Sequence, residues 1–462
     1  PAFTDASQWI RHDLWVETTF DTDGDGKLDR MHVAVTRPKQ TETEGLKLPV
    51  VYVSSPYFAG TAPLKGLFWD VKHELGESPK PRTHAEVVRK GKRPIISNSH
   101  IKTWVPRGYI VVHSSSPGTG LSQGAPTVGG DNESLAPKAV IDWLCGRAEG
   151  FDSADSDVKV IAYWSTGKVG MTGTSYNGTL PLAAATTGVE GLEAIIPIAP
   201  NTSYYHYYRS NGLVRSPAGY LGEDIDVLYD FINSGDESKR AHNNATVRDK
   251  EMINGLDRIT GDYNDFWAGR DYLNDMKPMK AALLMSHGFN DWNVMPEHSY
   301  RIYKAAKEQG IPSQIFYHQN GHGGPPPMSM MNRWFTHYLH GVDNGVENDA
   351  RAWIVRENDL KDAPTAYEDY PNPAASPVKL HLNAGAPTKG GLMTSKPSKQ
   401  GKETLVDDYN FSGAELAKAE NSNHRLLFTT PKLSEAVHIS GIAKIKIKLA
   451  SSKPAANLSV WL

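Results

Sequence analysis

Residues 169–178 read Val-Gly-Met-Thr-Gly-Thr-Ser-Tyr-Asn-Gly, a β-prone run that ends in a glycine-flanked turn around Ser175. Residues 180–186 are small and compatible with a helix. A serine between a strand and a helix is typical of the G-x-S-x-G turn, where bulky neighbours would collide. Here the second glycine falls one place late, at Gly178, and Asn177, which tolerates left-handed angles, takes the expected position. Ser175 is therefore our candidate nucleophile, with an ordinary Gly-Ser loop as the alternative.

Similar β-prone runs recur along the chain and predict a sheet. They fall at residues 48–53, 109–113, 158–162, 194–198, 281–285 and 314–317. Helical patterns separate most of them, as at residues 135–145 and 297–309. Strands that alternate with helices are typical of βαβ units, so we expect an α/β fold with a mostly parallel sheet. Ahead of it, alternating segments around an Asp-Gly turn at residues 21–26 predict a β-hairpin over residues 10–37.

Two segments interrupt this pattern and divide the chain into predicted domains. Residues 202–275 are rich in Tyr, Asn and Asp and include a helical piece at residues 225–232, which is typical of a cap over the sheet. After residue 365, short alternating runs predict an all-β sandwich, which we expect to be incomplete because the sequence stops at Leu462 within a further apparent strand. These runs are residues 378–382, 403–406, 424–429 and 442–449. The predicted domains are an α/β core over residues 1–201 and 276–364, a helical cap over 202–275 and a β-sandwich over 365–462.

The composition argues against several kinds of partner. The 462-residue chain has a net charge of −3, which gives no electrostatic reason to expect nucleic acid or an anionic membrane. It has no run of 18 apolar residues that would predict a membrane-spanning helix. Its single cysteine, Cys145, excludes an internal disulfide and is expected to be a buried helix residue rather than a catalytic thiol. These features leave the compartment open.

No segment predicts a metal or a cofactor. Residues 21–26 match the start of an EF-hand loop, but the twelfth position is His32 instead of the bidentate Glu that calcium needs. His318 and His322 are four residues apart, yet the glycines between and beside them argue against a helix, and a third ligand is missing. We therefore interpret residues 21–26 as a hairpin turn.

Two later loops offer the partners that a nucleophilic serine needs, namely a base and a group that orients the base. For a turn of this kind the chain order is serine, acid, histidine, with the acid after a late strand and the histidine after the next one. Asp291 follows the run at residues 281–285, and His322 follows the run at residues 314–317. Chain order, strand position and spacing therefore agree on Ser175, Asp291 and His322 as a catalytic triad.

Other residues compete for the roles of acid and base. Asp271 and Asp275 both precede the late strand, which disfavours them as the acid. His287 lies inside the first turn and His318 at a strand end, so each suits a structural role better. His322 stands between glycines and is free to point at the serine.

A tetrahedral oxyanion needs two preorganised hydrogen-bond donors. One is expected from the backbone N–H of Tyr176, the residue after the nucleophile. The other is expected from the loop after residues 48–53, where Pro56 lacks an N–H and Tyr57 offers a hydroxyl or an amide. Ordinary packing is the alternative role for Tyr57.

Segments over roughly residues 12–360 share a pattern with one known family. They are residues 173–176, 178–179, 183–192, 204–209, 264–267, 270–272, 290–294, 334–339 and 341–346. In them the chain resembles the Xaa-Pro dipeptidyl-peptidase family, which is related to cocaine-esterase-like and α-amino-acid-ester hydrolases. The resemblance implies an α/β-hydrolase core with a helical cap and a C-terminal jelly roll. It also implies peptide substrates with proline at the second position, an oxyanion hole completed by the Tyr57 hydroxyl, and a homo-oligomer, although the family's extra N-terminal helical domain is not found in this sequence.

The implied substrate needs a carboxylate for its protonated N-terminus and apolar walls for its proline ring. Glu223 matches a family position implied in binding the N-terminus, but an acid near a solvated helix N-terminus has the same pattern. Tyr204, Tyr207 and Trp292 are candidates for the walls, with core packing as their alternative role. The family often has Trp in place of Tyr204, so the shape of the pocket is expected to differ.

Three functions are consistent with these residues. The first is a serine exopeptidase that releases Xaa-Pro dipeptides through an acyl-enzyme on Ser175. The second is an esterase or α-amino-acid-ester hydrolase that uses the same triad. The third is a catalytically inactive hydrolase fold that serves as a binding module, which the presence of all three triad candidates disfavours.

Overall fold

The computed structural model describes residues 2–63, 67–72, 77–78, 80–84, 98–399, 401–454 and 456–462. The chain forms two compact units. The larger unit comprises Pro1–Tyr367 together with Ile447–Leu462, and the smaller unit is Glu368–Lys446. The predicted domain limits within the larger unit stay a prediction.

An eleven-stranded sheet runs through the described part of the larger unit. The strands of this unit are β1 (Trp9–Glu17), β2 (Arg30–Pro38), β3 (Leu48–Ser55), β4 (Ile110–Ser115), β5 (Gly150–Phe151), β6 (Ser165–Thr174), β7 (Leu192–Ile198), β8 (Arg209–Ser210), β9 (Leu213–Val214), β10 (Ala282–Gly288), β11 (Ser313–His318), β12 (Ala352–Ile354) and β13 (Thr365–Tyr367). Strands β8 and β9 pair separately, and the sheet order is β13-β12-β11-β10-β7-β6-β3-β4-β2-β1-β5. Its centre, from β4 to β12, is parallel. Its edges are antiparallel.

Most of the predicted strands are confirmed. The hairpin forms by pairing of β1 with β2 over Trp9↔Pro38 to Glu17↔Arg30. The prediction at residues 158–162 is wrong, because Lys159 makes only an isolated bridge to Phe151. Val158 and Ile161 are 60% and 69% exposed, so these two apolar side chains do not pack as those of a buried strand would.

Helices cover the sheet and build the segment that follows β7. They are α1 (Gln40–Thr43), α2 (Asn98–Trp104), α3 (Asp131–Leu144), α4 (Tyr176–Ala185), α5 (Tyr204–Tyr208), α6 (Ile225–Ile232), α7 (Glu237–Asn243), α8 (Ile253–Gly255), α9 (Asp265–Ala268), α10 (Glu297–Glu308) and α11 (Met328–His340). A π-helical stretch spans Asn244–Met252, and 3₁₀ turns span Ala6–Gln8, Val105–Arg107, Tyr272–Asp275 and Val346–Asn348. Among the described residues, no helix has both the length and the apolar run that crossing a bilayer would need.

A core of aromatic and aliphatic side chains packs α2 and α11 against the sheet. Trp104, Trp334 and Phe335 are each at most 1% exposed and meet strand residues such as Val51 and Ile196. Burial of this much apolar surface is the main term that stabilises such a layer, at roughly 25 cal/mol per Å². The sheet is thereby held as a rigid support for the loops at the carboxyl ends of its strands.

The acidic turn between β1 and β2 forms ion pairs with a lysine of α7. One oxygen each of Asp21, Asp23 and Asp29 lies within 4.8 Å of the others. The Lys239 ammonium forms ion pairs with Asp23 at 3.4 Å and Asp25 at 3.0 Å. The turn therefore links the hairpin to α7.

The smaller unit contains a three-stranded sheet. Strand β14 (His381–Asn383) pairs antiparallel with β15 (Gly390–Met393), and β15 pairs parallel with β16 (Phe428–Thr429). Helix α12 (Gly413–Lys418) begins with a complete capping box between Ser412 and Glu415. The described residues 403–406 and 442–449 form no strand, so these two predictions are wrong, and the jelly-roll arrangement stays a prediction.

Candidate active site

Ser175 lies on a strained turn between β6 and α4. Its backbone angles are φ 64° and ψ −125°, a region that non-glycine residues seldom adopt. The turn is held to the neighbouring strand because the Ser175 N–H donates to Ile198 O at 2.8 Å. Strain of this kind persists where the surrounding structure fixes the backbone, and here it presents the serine at the carboxyl end of the sheet.

Close packing explains both glycines of the turn. A Cβ on Gly173 would lie 2.2 Å from Asn177 O, and one on Gly178 would lie 2.8 Å from Ile198 O. The left-handed angle that we expected Asn177 to accommodate falls on Ser175 itself, and Asn177 lies within α4. The late position of the second glycine therefore reflects the contact between α4 and β7.

Asp291 and His322 are in direct contact. His322 Nδ1 lies 2.7 Å from Asp291 Oδ2. The other oxygen, Oδ1, accepts the backbone N–H groups of Asn293 at 3.0 Å and Val294 at 2.9 Å. Burial opposes ionisation of Asp291, but hydrogen bonds from His287 and His322 outweigh it and hold the pKa of this carboxyl below its ordinary value. Asp291 is therefore a charged group suited to orient His322.

His287 shares the same carboxylate. Its Nε2 lies 3.1 Å from Asp291 Oδ2 and 2.8 Å from Val294 O, and its Nδ1 lies 2.6 Å from Ser299 Oγ. Because a carbonyl only accepts, Nε2 carries the proton and the Ser299 hydroxyl donates to Nδ1. His287 thus has neither ring nitrogen free to serve as the base.

The remaining rivals are also occupied by other partners. His318 Nε2 lies 2.8 Å from Gly323 O, and its Nδ1 accepts the Asn320 N–H at 3.1 Å, so this ring shapes the loop that carries the preferred base. The Asp271 carboxylate forms a two-point ion pair with Arg301 at 2.8 and 3.1 Å. Neither residue has the geometry of a catalytic group.

The loop of His322 lies against the nucleophile turn. A Cβ on Gly323, which has φ 102°, would be 3.7 Å from Thr174 Cγ2. Among the described residues, Ser175 Oγ and His322 Nε2 do not form a hydrogen bond. Such bonds are often long in an empty site and shorten when substrate binds. With its side chain 31% exposed between two glycines, His322 has room for this adjustment.

Tyr57 and Tyr176 meet beside the serine. Their rings pack edge to face with centroids 5.8 Å apart. Tyr176 opens α4, so its N–H has no acceptor within the helix. The Tyr57 N–H donates to Ser55 Oγ at 3.1 Å, which leaves the hydroxyl as the available donor of that residue. Burial, followed by the charge of Glu223, raises the pKa of Tyr57, so the hydroxyl keeps its proton.

Replacement of Tyr57 by phenylalanine is expected to lower kcat roughly 10²–10³-fold, because one donor to the oxyanion is lost. KM should change little, since the ring remains. The matched control is Tyr52→Phe on β3, which removes a buried hydroxyl that lies 2.5 Å from Ser114 Oγ on β4. Equal kcat values for the two variants would contradict the role of the Tyr57 hydroxyl.

Glu223 is a buried carboxylate in an aromatic pocket. It is 6% exposed, and its Oε1 accepts the Tyr208 hydroxyl at 2.6 Å. Burial raises the pKa of Glu223 to about 7. Its charge also raises the pKa of both Tyr57 and Tyr207, after burial, so it lies near these two side chains. The carboxylate is therefore close to the candidate oxyanion hole and lacks a cationic partner within salt-bridge distance among the described residues.

The three candidate aromatic walls have different surroundings. Tyr207 is 8% exposed and donates its hydroxyl to Asn293 Oδ1 at 3.2 Å. Trp292 is 36% exposed and stacks on Trp461 with ring centroids 4.0 Å apart. Tyr204 is 1% exposed and packs behind Tyr176 with centroids 6.1 Å apart. Tyr204 therefore supports the site from within the core, whereas Tyr207 adjoins the pocket of Glu223.

Several residues that complete this site were not among the predicted site residues. They are His287, Tyr208, Asn293 and Glu133, which accepts the Tyr176 hydroxyl. His287 is four residues before Asp291. That spacing predicts contact between the two side chains only when the conformation of the turn between them is known. Glu133 has the pattern of an acid in the first turn of a helix, so its complete burial has no signal in the sequence.

Comparison with known proteins gives consistent matches. A family model described as X-Pro dipeptidyl-peptidase (S15 family) matches residues 23–324, and one described as the X-Pro dipeptidyl-peptidase C-terminal non-catalytic domain matches residues 344–462. A provisionally named Xaa-Pro dipeptidyl-peptidase of Rhodopirellula baltica is 65% identical over 99% of this chain and 74% of its own length. The Xaa-Pro dipeptidyl-peptidase of Lacticaseibacillus rhamnosus is 34% identical over 99% of this chain and 62% of its own length.

Solved structures share the fold. A CocE/NonD family hydrolase from Staphylococcus aureus matches with a TM-score of 0.53 and 18% identity over 83% of this chain and 60% of that chain. An α-amino acid ester hydrolase matches with a TM-score of 0.52 and 17% identity over 87% of this chain and 66% of that chain. The expected α/β-hydrolase fold is thereby confirmed.

Proposed function

Since the chain belongs to the X-Pro dipeptidyl-peptidase (S15) family, we propose that it is a serine exopeptidase that releases Xaa-Pro dipeptides through an acyl-enzyme on Ser175. The observation that carries this proposal is the buried carboxylate of Glu223 beside Tyr57. This carboxylate supports a site in which an anion lies near the substrate carbonyl that Ser175 attacks. A protonated peptide N-terminus has the opposite charge to that anion. Binding of the N-terminus by Glu223 would restrict cleavage to the N-terminal end of the substrate peptide.

The proposed chemistry uses one proton relay. His322 Nε2 takes the proton of Ser175 as Oγ attacks the carbonyl carbon of the second residue, and Asp291 stabilises the imidazolium. The oxyanion accepts hydrogen bonds from the Tyr57 hydroxyl and the Tyr176 N–H. The C–N bond then breaks as the imidazolium gives its proton to the leaving amine. Water repeats the sequence on the acyl-enzyme, releases the dipeptide and restores the Ser175 hydroxyl.

The proposed substrate site distinguishes the N-terminus from the proline ring. Glu223 binds the ammonium in a partly desolvated place, where a charge-assisted hydrogen bond is strong. Tyr207 provides an apolar wall near it, and Trp292 provides a more exposed one. Tyr204 acts indirectly, through its packing on Tyr176.

An esterase with the same triad is the alternative function. A panel on the purified chain separates the two: an Xaa-Pro anilide with a free amine, the same anilide with an acetylated amine, and a simple acyl ester. We expect efficient turnover of the free-amine anilide and strong loss on acetylation. Rapid ester turnover with negligible hydrolysis of both anilides would favour the esterase.

Substitution of Glu223 by glutamine is expected to lower kcat/KM for the free-amine anilide roughly 100-fold, since a buried charge pair is lost. Turnover of the simple ester should be unchanged. The wild-type ratio of anilide to ester turnover should fall as the pH drops below about 7, because protonation of Glu223, whose pKa is about 7, removes the anion. The variant should lack this pH dependence.

Glu237→Gln is the matched control for Glu223→Gln, since Glu237 is an exposed acid at the start of α7. It should leave the turnover of both substrates unchanged. An unaltered anilide-to-ester ratio in Glu223→Gln would refute the proposed role of Glu223 while leaving the serine chemistry intact.

A further inference from the structure

We propose that Glu133 is a positioning residue of the oxyanion hole, which it holds in place through the hydroxyl of Tyr176. The inference rests on the serine mechanism proposed above. It assigns a role to a buried carboxylate that takes no part in the proton relay.

Glu133 is anchored at full burial beneath the nucleophile turn. It lies on α3 and is 0% exposed. Both of its carboxylate oxygens lie 2.7 Å from the Tyr176 hydroxyl, and Oε2 also accepts the Gly129 N–H at 2.9 Å. Burial of a carboxylate is costly unless hydrogen bonds compensate for the lost water. A fully buried acid whose two oxygens both lie within hydrogen-bond distance of the Tyr176 hydroxyl therefore indicates that the position of Tyr176 has to be fixed.

The position of Tyr176 affects both candidate oxyanion donors. Its own N–H, at the start of α4, is one donor. Its ring packs between those of Tyr57, at a centroid distance of 5.8 Å, and Tyr204, at 6.1 Å. The ring of Tyr57 carries the hydroxyl that is the other donor. Release of the Tyr176 hydroxyl would thus loosen the two donors together.

The loop before α3 has a strained backbone that helps to hold Glu133 against Tyr176. Val128 has φ 50°, which is costly for a β-branched residue. Arg270 holds it there, since Nε donates to Val128 O at 3.0 Å. The next residue, Gly129, has φ 83°, and a Cβ there would lie 2.4 Å from Tyr204 Cε2. The loop therefore directs the Gly129 N–H at Glu133 and leaves room for the ring of Tyr204.

Two variants test the inference, Glu133→Gln and Tyr176→Phe. Each is expected to lower kcat about 10-fold or more with KM changed less than about 3-fold, because small displacements of catalytic groups reduce rate more than binding. A boronic-acid analogue of an Xaa-Pro dipeptide, which forms a tetrahedral adduct with serine, should bind more weakly by a similar factor. The free Xaa-Pro dipeptide should bind as in wild type. The kcat of the double variant should be no lower than that of the less active single variant, since the two groups act as one unit.

The control is Tyr109→Phe, a fully buried tyrosine whose hydroxyl lies 3.4 Å from Thr336 Oγ1. It should lower thermal stability without changing kcat or boronate affinity. If Glu133→Gln and Tyr176→Phe behave like this control, Glu133 is only structural and the inference is overturned. Ser175→Ala is measured beside them. If Ser175→Ala keeps wild-type activity, the serine mechanism fails. If Ser175→Ala is inactive while Glu133→Gln and Tyr176→Phe keep the wild-type kcat, only this inference is refuted.

Discussion

Replacement of Ser175 by alanine is expected to lower kcat for an Xaa-Pro anilide about 10⁵–10⁶-fold, because the attacking oxygen is removed and only binding and the oxyanion donors remain. KM for the anilide should stay within a few-fold of wild type, since neither Glu223 nor the aromatic walls change. Steady-state kinetics, with a sensitive end-point assay for the variant, measures both values.

The matched control for this variant is Ser210→Ala, which alters an exposed serine at the end of β8. Its kcat should equal that of wild type. Residual anilide hydrolysis by Ser175→Ala within about 100-fold of wild type, after removal of contaminating peptidases, would show that another group is the nucleophile.

The second large effect is expected from Asp291→Asn, with kcat lowered about 10⁴-fold. The asparagine can offer an N–H to His322 Nδ1, which favours the wrong tautomer and leaves Nε2 protonated and unable to accept the serine proton. The shared contact with His287 Nε2, at 3.1 Å in the wild type, is also weakened. Anilide kinetics from pH 6 to 9 measure the loss, which should persist over the whole range since it does not arise from a shifted titration.

The control for Asp291→Asn is Asp271→Asn, the rival acid, whose carboxylate pairs with Arg301. This change should reduce stability, measured as thermal unfolding, but leave kcat near wild type. If Asp271→Asn abolished turnover and Asp291→Asn did not, the assignment of the acid would be wrong.

The depressed pKa of Asp291 also has a consequence for stability. A carboxyl whose pKa is lower in the folded state contributes stability above its unfolded pKa of about 4, and this contribution is lost as the pH falls through the folded value. His287 and His322, which supply the hydrogen bonds, thus both contribute to the acid resistance of the loop.

Local pattern was enough to predict the framework of the sheet. The order of β-prone and helical runs predicted β3, β6, β7, β10 and β11, because buried parallel strands have continuous apolar runs bounded by turns. It also predicted α6 with its observed limits, Ile225–Ile232. Residues 158–162 have the same composition as a buried strand, yet burial depends on a neighbour that local pattern does not reveal.

The candidate site could be predicted where chain order carries the information. The Asp291–His322 contact follows from the loops after two adjacent parallel strands, β10 and β11, whose ends meet at one edge of the sheet. The choice between the hydroxyl and the amide of Tyr57 needed the structure, which engages the amide with Ser55. The role of Glu133 depends on which face of α3 meets Tyr176, and that contact is a product of tertiary packing.

The most direct test of the serine mechanism is to trap the enzyme by acid during turnover of an activated Xaa-Pro ester and to map the modified residue by peptide mass spectrometry. We predict one Xaa-Pro acyl group on the peptide that contains Ser175, absent from Ser175→Ala treated in the same way. An unmodified Ser175 during burst turnover, or an acyl group on another nucleophile such as Cys145, would contradict the mechanism.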